Sequence, residues 1–149
     1  MDKYKNSIYP QELTLSSDDK NDQQANYLDL HLEIKDTILN YKIYDKRDHF
    51  HFPIVNFPNL TGNIPKSHSY GVFTAQLIRY ARGCKVYKDF KFRAKNLFER
   101  LIKQGFLKAK LIRTYQKFLL KYSHLMKKYG KPLLLNVRGY IDPSIFHDN

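Results

Sequence analysis

The sequence predicts an α+β fold in which an N-terminal antiparallel β-hairpin layer is followed by a basic bundle of about three α-helices. Before residue 66 the apolar residues alternate, and after it they recur every three or four residues, which is the helical period. The same point marks a change in charge, since Lys66 to Lys131 holds 18 Lys and Arg residues against Asp89 and Glu99, a formal charge of +16. The 149-residue chain is long enough to bury a core. We therefore expect a β segment over 1–65, a helical segment over 66–131 and a C-terminal tail over 132–149.

The first segment shows the alternation typical of half-buried strands. Apolar and polar residues alternate from Tyr27 to Ile34, and the alternation resumes after Asp36-Thr37. Such a pattern places the apolar side chains on one face of a sheet. The two runs predict an antiparallel hairpin that turns at Asp36-Thr37. Its apolar positions are Leu28, Leu30, Leu32, Ile34, Leu39, Tyr41 and Ile43.

Three other stretches of this segment have weaker patterns. A short strand is predicted over Glu12 to Leu15, and Ser16 to Asn26 is polar and predicted as a loop. His49 to Phe57 alternates again but contains Pro53, which restricts it to an edge or irregular strand. A connector with Pro and Gly then extends to Pro65.

The second segment is predicted to form three helices. In the first, Ser67 or Ser69 is expected as N-cap, and five apolar residues share one face. The second is expected to begin at Asp89 and to end where Gly105 adopts a left-handed conformation. The third should run to Gly130 with one apolar stripe. The inward positions are Tyr70, Phe73, Leu77, Ala81 and Cys84, then Leu97, Phe98 and Leu101, then Leu111, Tyr115, Phe118, Tyr122, Leu125 and Tyr129. The apolar run Leu133 to Val137 is expected as a strand or a docking tail.

The basic residues of the third helix also follow helical spacing, about 130° around the axis from the apolar stripe at 100° per residue. They are Lys110, Arg113, Lys117, Lys121 and Lys128, and the first helix adds Arg79 and Arg82 opposite its core face. A helix that keeps lysines outside only for solubility normally interleaves acids to relieve repulsion. Here Glu99 is the one acid between Phe90 and Lys131. The imbalance favours a surface that binds a polyanion.

No catalytic centre or cofactor motif is visible in the sequence. Asp29, Asp45 and Asp48 are interpreted as solvated acids rather than metal ligands, because they fall on a polar strand face and in a polar turn. His49 and His51 lack a third ligand at metal-binding spacing. Cys84 falls in an apolar stripe and is interpreted as a core residue. There is no glycine-rich phosphate loop and no Ser/His/Asp motif.

The sequence also bears on the cellular compartment. Cys84 is the single cysteine, so the chain has no internal disulfide, which is typical of reducing compartments. No apolar run approaches the roughly 20 residues of a membrane span. Met1 to Pro10 lacks the apolar core of a signal peptide. An intracellular protein, cytoplasmic or nuclear, is expected.

Several short stretches, taken in order between Ile8 and Tyr129, together resemble one family. They are Tyr27-Leu28-Asp29-Leu30, the block from Tyr44 to Asp48, Asn56-Phe57-Pro58, Tyr70-Gly71-Val72-Phe73, the run from Gln76 to Arg82, and Lys103-Gln104-Gly105-Phe106. The series resembles the C-terminal part of reverse-transcriptase-domain proteins encoded by retrotransposons that are abundant in animal genomes.

The resemblance implies the last palm strands and a helical thumb. In such enzymes a Tyr-x-Asp-Asp turn in the palm holds the two catalytic metal ions. That turn lies upstream of the segment resembled here, and Asp18-Asp19 in its polar loop does not match it. The resemblance thus implies a truncated segment without polymerase chemistry, whose strands lack neighbours from the missing palm and fingers. Leu28 to Ile34 would then present an unpaired edge or an exposed apolar face.

From the charge pattern and the resemblance together, we expect a nucleic-acid-binding segment that grips the backbone of a template–primer, with an RNA–DNA hybrid as the favoured ligand. The expected phosphate contacts are Arg79, Arg82, Lys110, Arg113, Lys117 and Lys121, with Tyr80 as a candidate for stacking on bases. The alternative is a stand-alone basic helical module that binds an acidic protein or an anionic membrane surface. The isolated chain is not expected to be an enzyme.

Overall fold

The computed structural model describes residues 23–52, 54 and 57–130, and it has the predicted α+β order of an antiparallel sheet followed by helices. The sheet is formed by β1 (Gln24–Tyr27), β2 (Leu30–Lys35) and β3 (Ile38–Ile43), and a 3-10 turn at Lys46–His49 follows it. The helices are α1 (Lys66–Gly83), α2 (Tyr87–Lys103), α3 (Lys108–Lys121) and the short α4 (Ser123–Met126), and a second 3-10 turn at Lys127–Tyr129 comes last.

The predicted hairpin is confirmed as the β2–β3 pair. Its strands are antiparallel, with Leu30 opposite Ile43 and Ile34 opposite Leu39. Asp36 and Thr37 form the two-residue turn, and both have positive φ, as the tight hairpin turn that matches strand twist requires. The apolar face of this pair is therefore the one the alternation predicted.

The predicted strand from Tyr27 to Ile34 is wrong, because the chain reverses at Leu28 and Asp29 to form two strands. Leu28 has a φ of 54° and is 81% exposed, so it is a turn residue and not part of the apolar face. β1 takes up Gln24 to Asn26, which were predicted as loop. β2 consequently has a neighbour on each side, and among residues 23–52, 54 and 57–130 the outer strands of the sheet are β1 and β3.

The sheet packs on the helices at one end only. Ile43 is buried in the same core as the helices, and Leu30 packs against that core. At the other end of the same face, Ile34 and Leu39 are about half exposed. Lys85 covers part of the outer edge of β3, since its backbone N–H donates to the Tyr41 carbonyl at 3.0 Å and its Nζ to the Leu39 carbonyl at 2.6 Å.

The helical core follows the predicted apolar faces. The four predicted residues within α1 and Cys84, just beyond its end, are buried, as are the three inward residues predicted for α2. Leu111, Tyr115 and Phe118 of α3 are buried as well. The remaining predicted positions, Tyr122, Leu125 and Tyr129, are partly buried against this core.

The predicted helix starts are wrong by a few residues. α1 begins at Lys66 after Pro65 and α2 at Tyr87 after Val86, and neither start has a side-chain cap. Asp89 lies in the first turn of α2, where a carboxylate still interacts favourably with the helix dipole. The predicted left-handed conformation of Gly105 is confirmed by its φ of 85°, and Gly130, which was predicted only to close the third helix, has a φ of 65°.

The predicted third helix is interrupted at Tyr122. α3 ends at Lys121, and Tyr122 adopts a non-helical φ of −113° and ψ of 28°. The redirected chain places Tyr129 beside the end of α1, where its hydroxyl donates to the carbonyls of Ala81 at 3.3 Å and Cys84 at 2.9 Å. Tyr129 thus satisfies backbone acceptors that the end of α1 leaves free.

The irregular strand predicted over His49 to Phe57 is not found in the described residues of that range. His49 ends the first 3-10 turn instead, and the Asp45 carboxylate caps this turn by accepting from the Arg47 backbone N–H at 3.1 Å. Pro53, Val55 and Asn56 lie outside the described residues. So do the predicted strand at Glu12 to Leu15 and the apolar run Leu133 to Val137.

Candidate nucleic-acid interface

Four of the six predicted phosphate contacts lie together on the outer face of α3. Lys110, Arg113, Lys117 and Lys121 are all exposed, and at 100° per residue they fall within an arc of about 80°. We call these four residues the cationic ridge. At a rise of 1.5 Å per residue the ridge is about 16 Å long. α3 contains no acidic residue, so the ridge has no carboxylate on its own helix.

The inner face of α3 holds the ridge toward solvent. Leu111 and Tyr115 are fully buried, and the Phe118 ring stacks on Phe90 of α2 with ring centroids 6.3 Å apart. Because the ridge lies about 130° around α3 from the apolar stripe, packing of the stripe fixes the direction in which the basic side chains point.

Tyr70 of α1 fixes the start of α3. Its hydroxyl oxygen accepts a hydrogen bond from the Leu107 backbone N–H at 2.9 Å, just before the helix begins. Its ring lies 4.2 Å below the Lys110 ammonium, within the range of a cation–π contact. Tyr70 is buried, and its hydrogen bond to the Leu107 N–H is partly buried.

Replacing Tyr70 with Phe should therefore destabilise the protein. The substitution leaves the part-buried N–H of Leu107 unsatisfied, and we expect the free energy of unfolding to fall by about 1–3 kcal/mol. Urea denaturation followed by circular dichroism measures the change. Tyr27→Phe is the matched control, since Tyr27 is exposed on β1 and should lose less than about 0.5 kcal/mol. Equal losses in the two variants would contradict the role of the hydroxyl.

Lys128 does not belong to the ridge as predicted, because the chain turns at Tyr122. It lies in the second 3-10 turn, with its Nζ 3.4 Å from the Arg82 carbonyl and 5.0 Å from the centre of the Tyr129 ring. Burial lowers the pKa of this ammonium. Lys128 thus contacts the end of α1 instead of extending the ridge.

The two other predicted phosphate contacts are on α1. Arg79 is exposed but bound to Asp29 in the turn between β1 and β2, with Nη2 and Oδ2 2.8 Å apart. Arg82 is exposed, and no ion pair to it is found within the described part of the chain. Tyr80, predicted to stack on bases, is buried in the core. That part of the prediction is wrong, because the ring is not accessible to a base.

The three aspartates that were interpreted as solvated are instead bound to arginines. Besides the Arg79–Asp29 pair, Asp45 lies 2.6 Å from Arg47, and Asp48 pairs with Arg93 and lies 3.4 Å from Arg100. Burial raises the pKa of Asp45, but the hydrogen bonds from the Arg47 side chain and backbone outweigh it and leave the pKa below its ordinary value. The pairs of Asp48 attach the first 3-10 turn to α2, and the pair of Asp29 attaches the turn between β1 and β2 to α1.

The structure places the remaining candidates in structural positions. Cys84 is fully buried, and burial raises the pKa of its thiol, in agreement with a core residue. The His49 ring lies against Tyr44 with centroids 5.8 Å apart. Within residues 23–52, 54 and 57–130, no group of three or more His, Cys, Asp or Glu side chains is arranged to hold a metal ion.

Comparison with known proteins gives no match. No protein-family model, no curated protein and no solved structure matches this chain. In the part of the chain that the structure describes, no helix is long and apolar enough to cross a bilayer.

Proposed function

We propose that this protein binds nucleic acid through the phosphate backbone, with the cationic ridge as the main contact surface. The observation that carries the proposal is a division among the basic residues. Four arginines outside α3 are paired with aspartates, namely Arg47, Arg79, Arg93 and Arg100. Among the described residues, no carboxylate pairs with Lys110, Arg113, Lys117 or Lys121. Like charges placed together repel one another, and a polyanion relieves this repulsion.

The dimensions of the ridge suit a nucleic-acid backbone. A duplex carries one negative charge per about 1.7 Å of its axis, so the ridge, about 16 Å long, faces several phosphates. Lysines contact phosphates as point charges and do not read bases, and Lys makes up three of the four ridge residues. Binding should therefore depend little on sequence.

The resemblance to the late palm and thumb of retrotransposon reverse transcriptases supports the same proposal. A thumb holds the template–primer by its backbone, and helices that follow antiparallel strands agree with that order of elements. On this basis an RNA–DNA hybrid is the ligand that we propose first. The proposal gives the chain a holding function and assigns no residue to catalysis.

The salt dependence of hybrid binding tests the proposal. If the four ridge residues each neutralise one phosphate, the log of the association constant should fall with the log of salt concentration with a slope of about −3.6. Affinity should then drop about 150-fold between about 50 and 200 mM salt. Filter binding measures the slope. A slope near zero would contradict the proposal, as would anionic vesicles competing for the protein better than an RNA–DNA hybrid does.

A further inference from the structure

A cleft of about 470 Å³ lies between α2 and the chain that follows the first 3-10 turn, and its walls are unusually aromatic. Phe50, Phe52 and Phe92 line it and are 49%, 60% and 57% exposed. The rings of Phe50 and Phe52 lie 5.3 Å apart and are tilted toward one another. Exposed aromatic rings that converge on one cleft are the usual platform for an unpaired base, since each stacked base adds binding energy without regard to sequence.

The charged residues around this cleft are mostly basic. Arg47, Arg100 and Lys103 line it together with one acid, Asp48, which leaves a net charge of +2. Asp48 forms ion pairs with Arg93 and Arg100, and Arg47 forms an ion pair with Asp45. Lys103 is exposed and has no ion pair to any described residue. Its ammonium is therefore the group best placed to bind an anion.

The spacing along α2 separates the aromatic and cationic parts of the cleft. Phe92 and Lys103 are eleven residues apart, which places them within about 20° of one another around the helix and about 16 Å apart along it. Both line the cleft. A ligand that contacts both has a flat ring and a negative charge too far from that ring to be its own phosphate, which is the chemistry of a short single strand and not of one nucleotide.

We propose that this cleft binds a short unpaired stretch of a single strand, with a base against the three phenylalanines and the phosphate of a neighbouring nucleotide near Lys103. A base inside a duplex is already stacked and cannot enter, so the cleft takes an unpaired end or a single-stranded stretch. This inference rests on the proposed function, because the rest of the strand would bind the cationic ridge. Lys103 is five residues from Lys108, the first residue of α3, so these two positions are at most about 18 Å apart. One strand can therefore reach both the cleft and the helix that carries the ridge.

A tryptophan introduced at the cleft tests this proposal, because the chain has none of its own. Phe92→Trp keeps an aromatic ring in the wall, and its fluorescence should be quenched when a base stacks on it. Tyr27→Trp is the matched control on β1, away from the cleft lining. Each variant is titrated with an oligodeoxyadenylate of about ten nucleotides. Parallel titrations use a blunt duplex, free deoxyadenosine monophosphate and a copolymer of Glu and Tyr.

We expect the oligonucleotide to quench the Phe92→Trp variant and not the Tyr27→Trp variant. The blunt duplex should bind without quenching the fluorescence of either variant. The free mononucleotide should quench the Phe92→Trp variant only at a far higher concentration. Equal quenching of both variants would overturn the proposal, and so would equal quenching by duplex and single strand. Quenching by the mononucleotide at the same concentration would identify a free nucleotide as the ligand. Quenching by the copolymer alone would identify an acidic protein.

A second pair of variants separates the cleft from the ridge. Phe52→Ala should weaken binding of the single strand about five- to hundredfold and leave duplex binding unchanged, since it removes only a stacking ring. Lys103→Ala should weaken single-strand binding and lower its salt slope by about 0.7. If the cleft proposal fails, duplex binding and its salt slope remain. If the ridge proposal fails, the slope with duplex is lost while quenching by the single strand persists.

Discussion

Replacing both Lys117 and Lys121 with Glu should weaken binding to an RNA–DNA hybrid on the order of 100-fold at moderate salt. Each substitution removes a charge-assisted contact to phosphate and adds a negative charge that the backbone repels, and a contact of this kind contributes about tenfold in affinity. The slope of log affinity against log salt should fall from about −3.6 to about −1.8. Both side chains are exposed, so the fold should be unaffected. All base sequences should lose affinity alike, because phosphate contacts carry no sequence information.

A second charge reversal supplies the control for this result. Lys42 on β3 and Lys46 in the first 3-10 turn are exposed and have no ion pair to a described residue. Lys42→Glu with Lys46→Glu changes the net charge by the same amount on a different part of the surface. The affinity of this variant for the RNA–DNA hybrid should fall only by the small amount that the long-range effect of net charge causes. Similar losses in the two double variants would show that binding depends on total charge and not on the ridge.

The core and the order of elements could be predicted from the sequence because periodicity reports them directly. The apolar faces of α1 and α2 and the β2–β3 hairpin were found in this way. The turn at Leu28 could not be predicted in this way. Leu28 is apolar and continues the alternation, and no glycine or proline beside it marks a break. Only the pairing of β1 with β2 makes the turn necessary, and pairing is a tertiary property.

The ridge was likewise predicted from the spacing of its residues, whereas the positions and ion pairs of the other charged residues were not. Nothing in the local sequence marks the interruption at Tyr122, so Lys128 was assigned to the wrong surface. The pairing of Asp48 with Arg93 and Arg100 joins residues that are 45 and 52 positions apart. One local indication exists in the sequence: Arg93 and Arg100 are seven residues apart and thus share a face of α2.

These ion pairs reduce the number of basic residues that are available to bind an anion. In the sequence all 18 basic residues of the helical segment look equivalent. In the structure, several are bound to aspartates and help to attach the sheet and its following loop to the helices. Those on α3 are not bound in this way, and the four residues of the cationic ridge lie side by side on one exposed face. The number of phosphate contacts should therefore follow the unpaired residues and not the net charge.

The support for that helix depends on a cluster of aromatic rings centred on Phe90 of α2. Phe90 is fully buried, and its ring centroid lies 6.1 Å from Tyr87, 6.3 Å from Phe118 and 5.9 Å from Tyr129. Phe118 belongs to α3, and Tyr129 binds the carbonyls at the end of α1. Phe90 therefore packs directly against α3 and is linked to the end of α1 through Tyr129.

Replacing Phe90 with Ala should lower the free energy of unfolding by about 3–5 kcal/mol, because it removes a buried ring and leaves a cavity that its neighbours cannot fill completely. Against the roughly 5–15 kcal/mol of a typical domain, this is a large fraction of the total. Phe92→Ala is the matched control, since Phe92 lies two residues along the same helix, about 200° around it, and is largely exposed. It should cost less than about 1 kcal/mol. Urea denaturation of both variants measures the difference, and equal losses would mean that α2 packs with a different face inward.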